Sequence, residues 1–413
     1  MDCRAFFQMI RKNSPNYRWY ILALACLSVA LVSGAGRMCM PVLFKEISLK
    51  LNLNLVSIGT VWGMDPLAGI FIGLLSGLFA DRFGVKRTML FICIGAGVFG
   101  ALRGFSVNFI TLAVTMFLYG FLGASAPNIV AKATALWFDE KRIALANALV
   151  NVAWSLGSIS ASMFSATVLS PALGSWRQVM FFWAAPCFLA GLLWLFTGRE
   201  PAKGEVHQVT NVTAPFRQAL AHVMRVKQVW VIGLITLAHY GATMGFTGYL
   251  AIYLRNIGWT TTAADSAFTA LNGVGTLGVI PMVLLSDKIK SRKGILALSI
   301  ITFTGLLALI PFVNTMGIWL LIIVVGFLRA GAPSIINVMV FESEGIGGTY
   351  GGTAMGLTST IGMWGAFLAP PIGNSFAKYS QGAPLLFWAG LSILALIPLF
   401  FTKERTKNIL QAY

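Results

Sequence analysis

Apolar runs long enough to cross a bilayer alternate with short polar segments along the whole of this 413-residue chain. A membrane-spanning helix takes about 20 consecutive, mostly apolar residues. Runs of that order fall at 18–44, 55–79, 88–106, 108–133, 143–168, 178–197, 229–252, 264–285, 294–313, 316–341, 351–376 and 383–401. They predict an all-α integral membrane protein with 12 transmembrane helices. Gly and Pro inside the runs do not count against helix, because neighbouring helices in a membrane bundle re-satisfy freed backbone groups. The longest polar stretch, 198–228, lies at the midpoint of the chain and carries Glu200-Pro201 and Lys203-Gly204. It reads as a cytoplasmic linker between an N-terminal six-helix bundle, 1–197, and a C-terminal six-helix bundle, 229–413.

The two halves repeat. Gly120-Phe121-Leu122-Gly123-Ala124-Ser125-Ala126-Pro127-Asn128-Ile129 matches Gly326-Phe327-Leu328-Arg329-Ala330-Gly331-Ala332-Pro333-Ser334-Ile335 at an offset of 206, and Asp81 falls on Asp287 at the same offset. Two separate matches at one spacing predict pseudo-symmetric bundles, a plan used by transporters that bind substrate near the bilayer midplane.

Composition agrees with a lipid solvent. Residues are 57% hydrophobic and 10% charged, against about 25% charged in soluble domains. The net charge of +17 raises nucleic acid as a partner. The bases, however, sit in short clusters between apolar runs, as membrane orientation requires, and no basic stretch is interleaved with aromatics as single-strand binders are. With both termini cytoplasmic, only Lys45, Lys50, Arg103, Arg177, Arg255 and Lys378 of the 30 Lys and Arg fall in external loops. That asymmetry points to a multi-pass protein of the plasma or bacterial inner membrane. The five cysteines form no close metal-type pair and predict neither a disulfide framework nor a metal site. The basic N-terminus lacks a small-residue cleavage site after a short apolar core. No P-loop, zinc-type His/Cys cluster or nucleophile elbow is present, so no cofactor is expected and an enzyme is the least favoured class.

Between the second and third runs lies Gly77-Leu78-Phe79-Ala80-Asp81-Arg82-Phe83-Gly84-Val85-Lys86-Arg87. Gly77 allows close helix approach and Gly84 a tight turn. Asp81 can accept bonds from a helix N-terminus or an arginine, and Arg82, Lys86 and Arg87 hold the loop inside. The segment resembles the G-x-x-x-D-R-x-G-x-K/R-R/K loop of the major facilitator superfamily, with a degenerate second copy around Asp287. Trp137-Phe138-Asp139-Glu140-Lys141-Arg142 and Gly174-Ser175-Trp176-Arg177 resemble the family's loops after its fourth and before its sixth helix. The fifth run lacks the G-x-x-x-G-P-x-x-G-G pattern of its drug–proton antiporters. Arg37 followed by Pro41 resembles the cyanate and nitroimidazole permease branch. The resemblance implies alternating access around a cavity lined chiefly by helices 1, 4, 7 and 10, with conformational gating by Gly77, Asp81, Arg82, Gly84, Lys86, Arg87 and Asp287.

Ionisable groups inside a membrane are costly and usually functional. Of 13 carboxylates only Asp65 lies well inside a run; the buried bases are Arg37, Arg329 and, nearer the inner end of its run, Lys132, with His239 near the middle of the seventh run. Guanidinium stays charged and offers planar bidentate donors suited to carboxylate, nitrate or phosphate. Two such groups without matching buried acids point to an anion as the missing counter-charge. Structural alternatives stand beside this: Arg37 pairs with Asp65, and Arg329 bonds helix carbonyls or snorkels. Asp65 is either that partner or the coupling-proton carrier. His239 is either a second proton carrier and substrate ligand or a packed, hydrogen-bonded histidine. Asn128, Tyr240, Thr243 and Asn337 either complete the site or bond helix to helix, as do Asn151, Asn272 and Trp364. The expected function is secondary transport of a small organic or inorganic anion, monocarboxylate-like, by proton symport in a monomer. Efflux of hydrophobic compounds and a non-transporting sensor in the transporter fold are the alternatives.

Overall fold

The computed structural model describes residues 17–200, 216–289, 291–329 and 331–402. Ten helices among them are long and apolar enough to cross a membrane. In chain order they are α1 (Tyr17–Lys50), α2 (from Leu55), α3 (to Gly104), α4 (Phe109–Trp137), α5 (Lys141–Leu173), α6 (Trp176–Thr197), α7 (Lys227–Asn256), α9 (Arg292–Phe312), α10 (Thr315–Phe341) and α12 (Ala383–Phe400). Two further 29-residue helices, α8 (Thr261–Ile289) and α11 (Gly347–Ser375), richer in Gly, Thr and Ser, complete the twelve. At 1.5 Å per residue each is about 43 Å long, ample for a bilayer. A short amphipathic helix, Phe216–Val223, precedes α7.

Local chemistry sets where the helices begin. The side chains of Asn54, Asn108, Asp139, Ser175 and Ser291 accept bonds from the first-turn N–H groups of α2, α4, α5, α6 and α9. Such caps satisfy amide donors that a helix leaves without partners at its start. Residues Leu55–Gly104 form one hydrogen-bonded run, which Gly84 breaks into α2 and α3 with φ 80° and ψ 167°. Helix α1 is not uniform: Val29–Ala35 is π-helical, and α-helix resumes at Gly36–Lys50.

Several helices run further than the apolar pattern implies. Helix α1 extends to Lys50, so Lys45 and Lys50 lie in its last turns rather than in a loop. Arg103, expected in an external loop, belongs to the last turn of α3 and is 1% exposed. The apolar pattern ends where charge begins, but a helix ends only where backbone bonding ends.

The chain forms two compact units, Met1–Thr210 with Gly258–Thr269, and Asn211–Ile257 with Ala270–Tyr413. The start of α8 therefore packs with the first unit. There Thr167 Oγ1 donates to the buried Asp265 carboxylate at 2.7 Å, and Ser162 and Thr269 hydroxyls lie 2.9 Å apart. Each unit has its own apolar core, around Ile21, Met89, Val130 and Trp194 in the first and Ile232, Ile300, Ile336 and Leu399 in the second. Two buried indoles find acceptors within their own unit: Trp194 donates to Ser28 Oγ at 2.9 Å and Trp388 to the Ala369 carbonyl at 3.0 Å.

Candidate functional site

In the first unit the ionisable groups converge on one turn of α1. The Arg37 guanidinium pairs with the Asp65 carboxylate of α2. Asp65 is buried, whereas the Arg37 side chain retains 23% exposure. Helices α2 and α4 meet closely here, because a Cβ on Gly120 would stand 2.7 Å from the Asp65 Cα. Arg103 of α3 completes the group. Its Nη1 donates to the Gly36 carbonyl at 2.7 Å, and its guanidinium carbon lies 3.8 Å from the centroid of the Tyr119 ring. The Tyr119 hydroxyl donates in turn to the Val32 carbonyl at 2.7 Å. Arg103 also interacts electrostatically with Asp65. Two guanidiniums thus face one carboxylate, leaving an excess of one positive charge in this cluster.

The second unit holds a different arrangement. Arg329 of α10 donates from Nη2 to Asn272 Oδ1 of α8 at 3.0 Å, and its charge acts on His239 and Tyr240 of α7. The partner is a neutral amide, and no carboxylate pairs with Arg329 among the described residues. His239 is buried, with Nδ1 3.4 Å from Ser392 Oγ and its ring edge-on to Phe303 at 5.3 Å. Tyr240 is half-buried beside it. The Thr243 hydroxyl oxygen is buried with no hydrogen-bond partner among the described residues. Asn128 and Asn337 lie exposed on α4 and α10 of their respective units.

The first unit therefore brings together Arg37 and Asp65, and the second brings Arg329 towards His239 and Tyr240. Sequence reasoning missed Arg103 and Tyr119, and left Asn272 between completing the site and bonding helix to helix. It also missed Glu200, whose Oε1 accepts the Lys86 N–H at 2.7 Å and stands where a Cβ of Gly84 would come within 2.5 Å. Glu200 thereby places a carboxylate at the start of α3, where the helix dipole favours it. Arg82 is exposed, its guanidinium carbon 5.5 Å from the Phe83 ring centroid. The side chains of Asp81 and Asp287 lie outside the described residues.

Comparison with known proteins follows the same lines. The sequence profile of the Major Facilitator Superfamily matches residues 26–370. The chain is 26% identical to the cis,cis-muconate transport protein of Acinetobacter baylyi, over 96% of this chain and 97% of that one. It is 23% identical to the 3-(3-hydroxy-phenyl)propionate transporter of Escherichia coli, over 93% and 96%. It is 28% identical to the multidrug resistance protein MdtG of Dickeya zeae over 71% of each. The inward-facing, unoccupied crystal structure of a bacterial homolog of the human lysosomal transporter Spinster superposes with a TM-score of 0.73 at 17% identity, covering 94% of this chain and 96% of that one. The profile spans most of the chain and the fold is shared, so this protein belongs to the Major Facilitator Superfamily and is a multi-pass membrane transporter, not an enzyme.

Proposed function

We propose that this transporter carries a small organic anion, with a carboxylate as the recognised group, by alternating access coupled to protons. The observation that carries the reading is the excess positive charge of the first unit's cluster, in which the guanidiniums of Arg37 and Arg103 surround the Asp65 carboxylate. A bilayer interior tolerates such a charge only when a counter-charge visits it or the charge does work. The Arg37 side chain keeps 23% of its surface exposed while paired, which leaves a way in for a carboxylate. Arg329, bonded to a neutral amide, offers the second unit's donor. The relatives named for muconate and hydroxyphenylpropionate transport support an organic acid as cargo.

Asp65 is the proposed proton carrier and His239 the second candidate, with Asn128, Tyr240, Thr243 and Asn337 as polar neighbours of the substrate. Gly77, Asp81, Arg82, Gly84, Lys86, Arg87 and Asp287 are assigned to gating. The working unit is a monomer in the plasma or bacterial inner membrane, its termini cytoplasmic, with bundles 1–197 and 229–413 joined by the linker 198–228. The similarity to MdtG favours a second reading, efflux of hydrophobic compounds; surplus buried arginines oppose it for cationic drugs.

Purified protein in proteoliposomes is expected to accumulate radiolabelled cis,cis-muconate or 3-(3-hydroxyphenyl)propionate. Replacing Arg37 or Arg329 by Ala should lower uptake at low substrate by about 10-fold or more, the value of one charge-assisted hydrogen bond. Normal uptake of these acids by both variants would remove the anion reading, and transport of an uncharged dye instead would favour the efflux reading.

A further inference from the structure

The first unit contains a buried assembly that the repeat does not need. At the offset of 206 that relates the halves, Gly120 and Asp65 correspond to Gly326 and Leu271. The packing corresponds too: a Cβ on Gly120 would meet Asp65 Cα at 2.7 Å, and one on Gly326 would meet the Leu271 carbonyl at 2.6 Å. At the same offset Arg103 falls on Leu309, Tyr119 on Val325, Gly36 on Ala242 and Arg37 on Thr243. The π-helical turn Val29–Ala35 falls on a stretch of α7 that is plain α-helix. The second unit thus builds the equivalent helices without arginine, tyrosine or π-turn. Scaffold packing alone does not account for them.

Their geometry says what they act on. A π-turn shifts bonding from i+4 to i+5, as the Gly36 N–H to Leu31 carbonyl bond shows, and so leaves carbonyls to be satisfied from elsewhere. Tyr119 donates to the Val32 carbonyl at 2.7 Å and Arg103 to the Gly36 carbonyl at 2.7 Å. These two groups also hold each other, guanidinium over ring at 3.8 Å, a contact that gains strength when desolvated. Both residues are buried, and Arg103 Nε has no hydrogen-bond partner among the described residues. The two bonded carbonyls bracket the end of the π-turn, and the residue that follows Gly36 is Arg37. A Cβ on Gly36 would stand 1.8 Å from the Tyr119 hydroxyl, so the turn is seated directly on the tyrosine.

We infer that Arg103 and Tyr119 are positioning residues that pin the π-turn of α1 and thereby set where the Arg37 guanidinium meets its anion. The inference rests on the anion reading of Arg37, and its test separates the two. Cys39, one turn beyond the pin, supplies a native reporter: its thiol is buried and contacts the Gly36 carbonyl at 3.5 Å. In purified full-length protein without substrate, Tyr119→Phe, which keeps the ring on Arg103 but loses the bond to Val32, should raise alkylation of Cys39 by N-ethylmaleimide, read by mass spectrometry of the Cys39 peptide. Arg103→Gln should raise it further, and Arg103→Lys should restore part of the protection.

In proteoliposomes, Tyr119→Phe should raise the KM for labelled cis,cis-muconate about threefold to tenfold, the range of one lost hydrogen bond, with Vmax held within about twofold. Should Arg103→Gln fail to fold, Tyr119→Phe still decides. Unchanged Cys39 reactivity, or a fall in Vmax at constant KM, would overturn the positioning role. Wild-type protein that moves none of the acids, with Cys39 nonetheless released in the variants, would end the anion reading and leave the pin standing.

Discussion

A methyl group on Gly84 would meet two separate penalties. The backbone there holds φ at 80° and ψ at 167°, a region nearly confined to glycine that costs other residues about 1–3 kcal/mol. The added Cβ would also lie 2.5 Å from the Glu200 carboxylate oxygen that caps α3. Gly84→Ala is therefore expected to lower the thermal midpoint of the detergent-purified protein by a few degrees. Because the second penalty comes from a movable side chain, Glu200→Ala in the same molecule should recover part of the loss and leave the backbone part. A Gly84→Ala protein as stable as wild type would show that the turn between α2 and α3 tolerates any residue. The sequence motif named this glycine correctly as a turn residue. It could not name Glu200, which lies 114 positions away from its bonded partner Lys86 and follows α6 rather than α2.

Helix contacts within each unit rest on missing side chains. A Cβ on Gly157 of α5 would stand 2.1 Å from the Ala30 carbonyl of α1, and one on Gly365 of α11 would stand 2.0 Å from the Leu237 carbonyl of α7. These are equivalent pairs, separated by 207 and 208 residues. Gly390 of α12 has nothing within 4 Å. Gly157→Ala and Gly365→Ala should each push two helices apart and lower thermal stability, whereas Gly390→Ala should match or exceed wild type, since Ala favours helix by about 1 kcal/mol over Gly. Equal shifts in all three variants would mean that helix propensity, and not helix approach, decides. The helices themselves were legible in hydropathy. The ends of α1 and α3 were not, because a charged last turn reads as loop. For the same reason Arg103 was placed outside the bundle, although burial against Tyr119 removes it from water. The π-turn has no sequence signature, and its partners come from other helices.

The two units share a scaffold and differ in charge, and that difference bears on coupling. The first unit's cluster carries one excess positive charge while Arg37 pairs with Asp65. When Arg37 turns to a monocarboxylate, Asp65 loses its partner. Uptake of one proton by Asp65 then offsets the added negative charge, so the net charge buried in the unit is the same empty and loaded. Changing a buried charge in a bilayer is costly, so this exchange binds proton and anion together. Asp65→Asn breaks the exchange without removing either arginine. The variant should lose accumulation of labelled 3-(3-hydroxyphenyl)propionate, a monocarboxylate, driven by an inward proton gradient, yet keep exchange of labelled for unlabelled substrate at equal pH. His239 lies in the other unit, packed on Phe303 and Ser392, and His239→Gln should leave gradient-driven accumulation in place. Accumulation that survives in Asp65→Asn and disappears in His239→Gln would transfer the proton to the second unit and would leave Asp65 as the structural partner of Arg37.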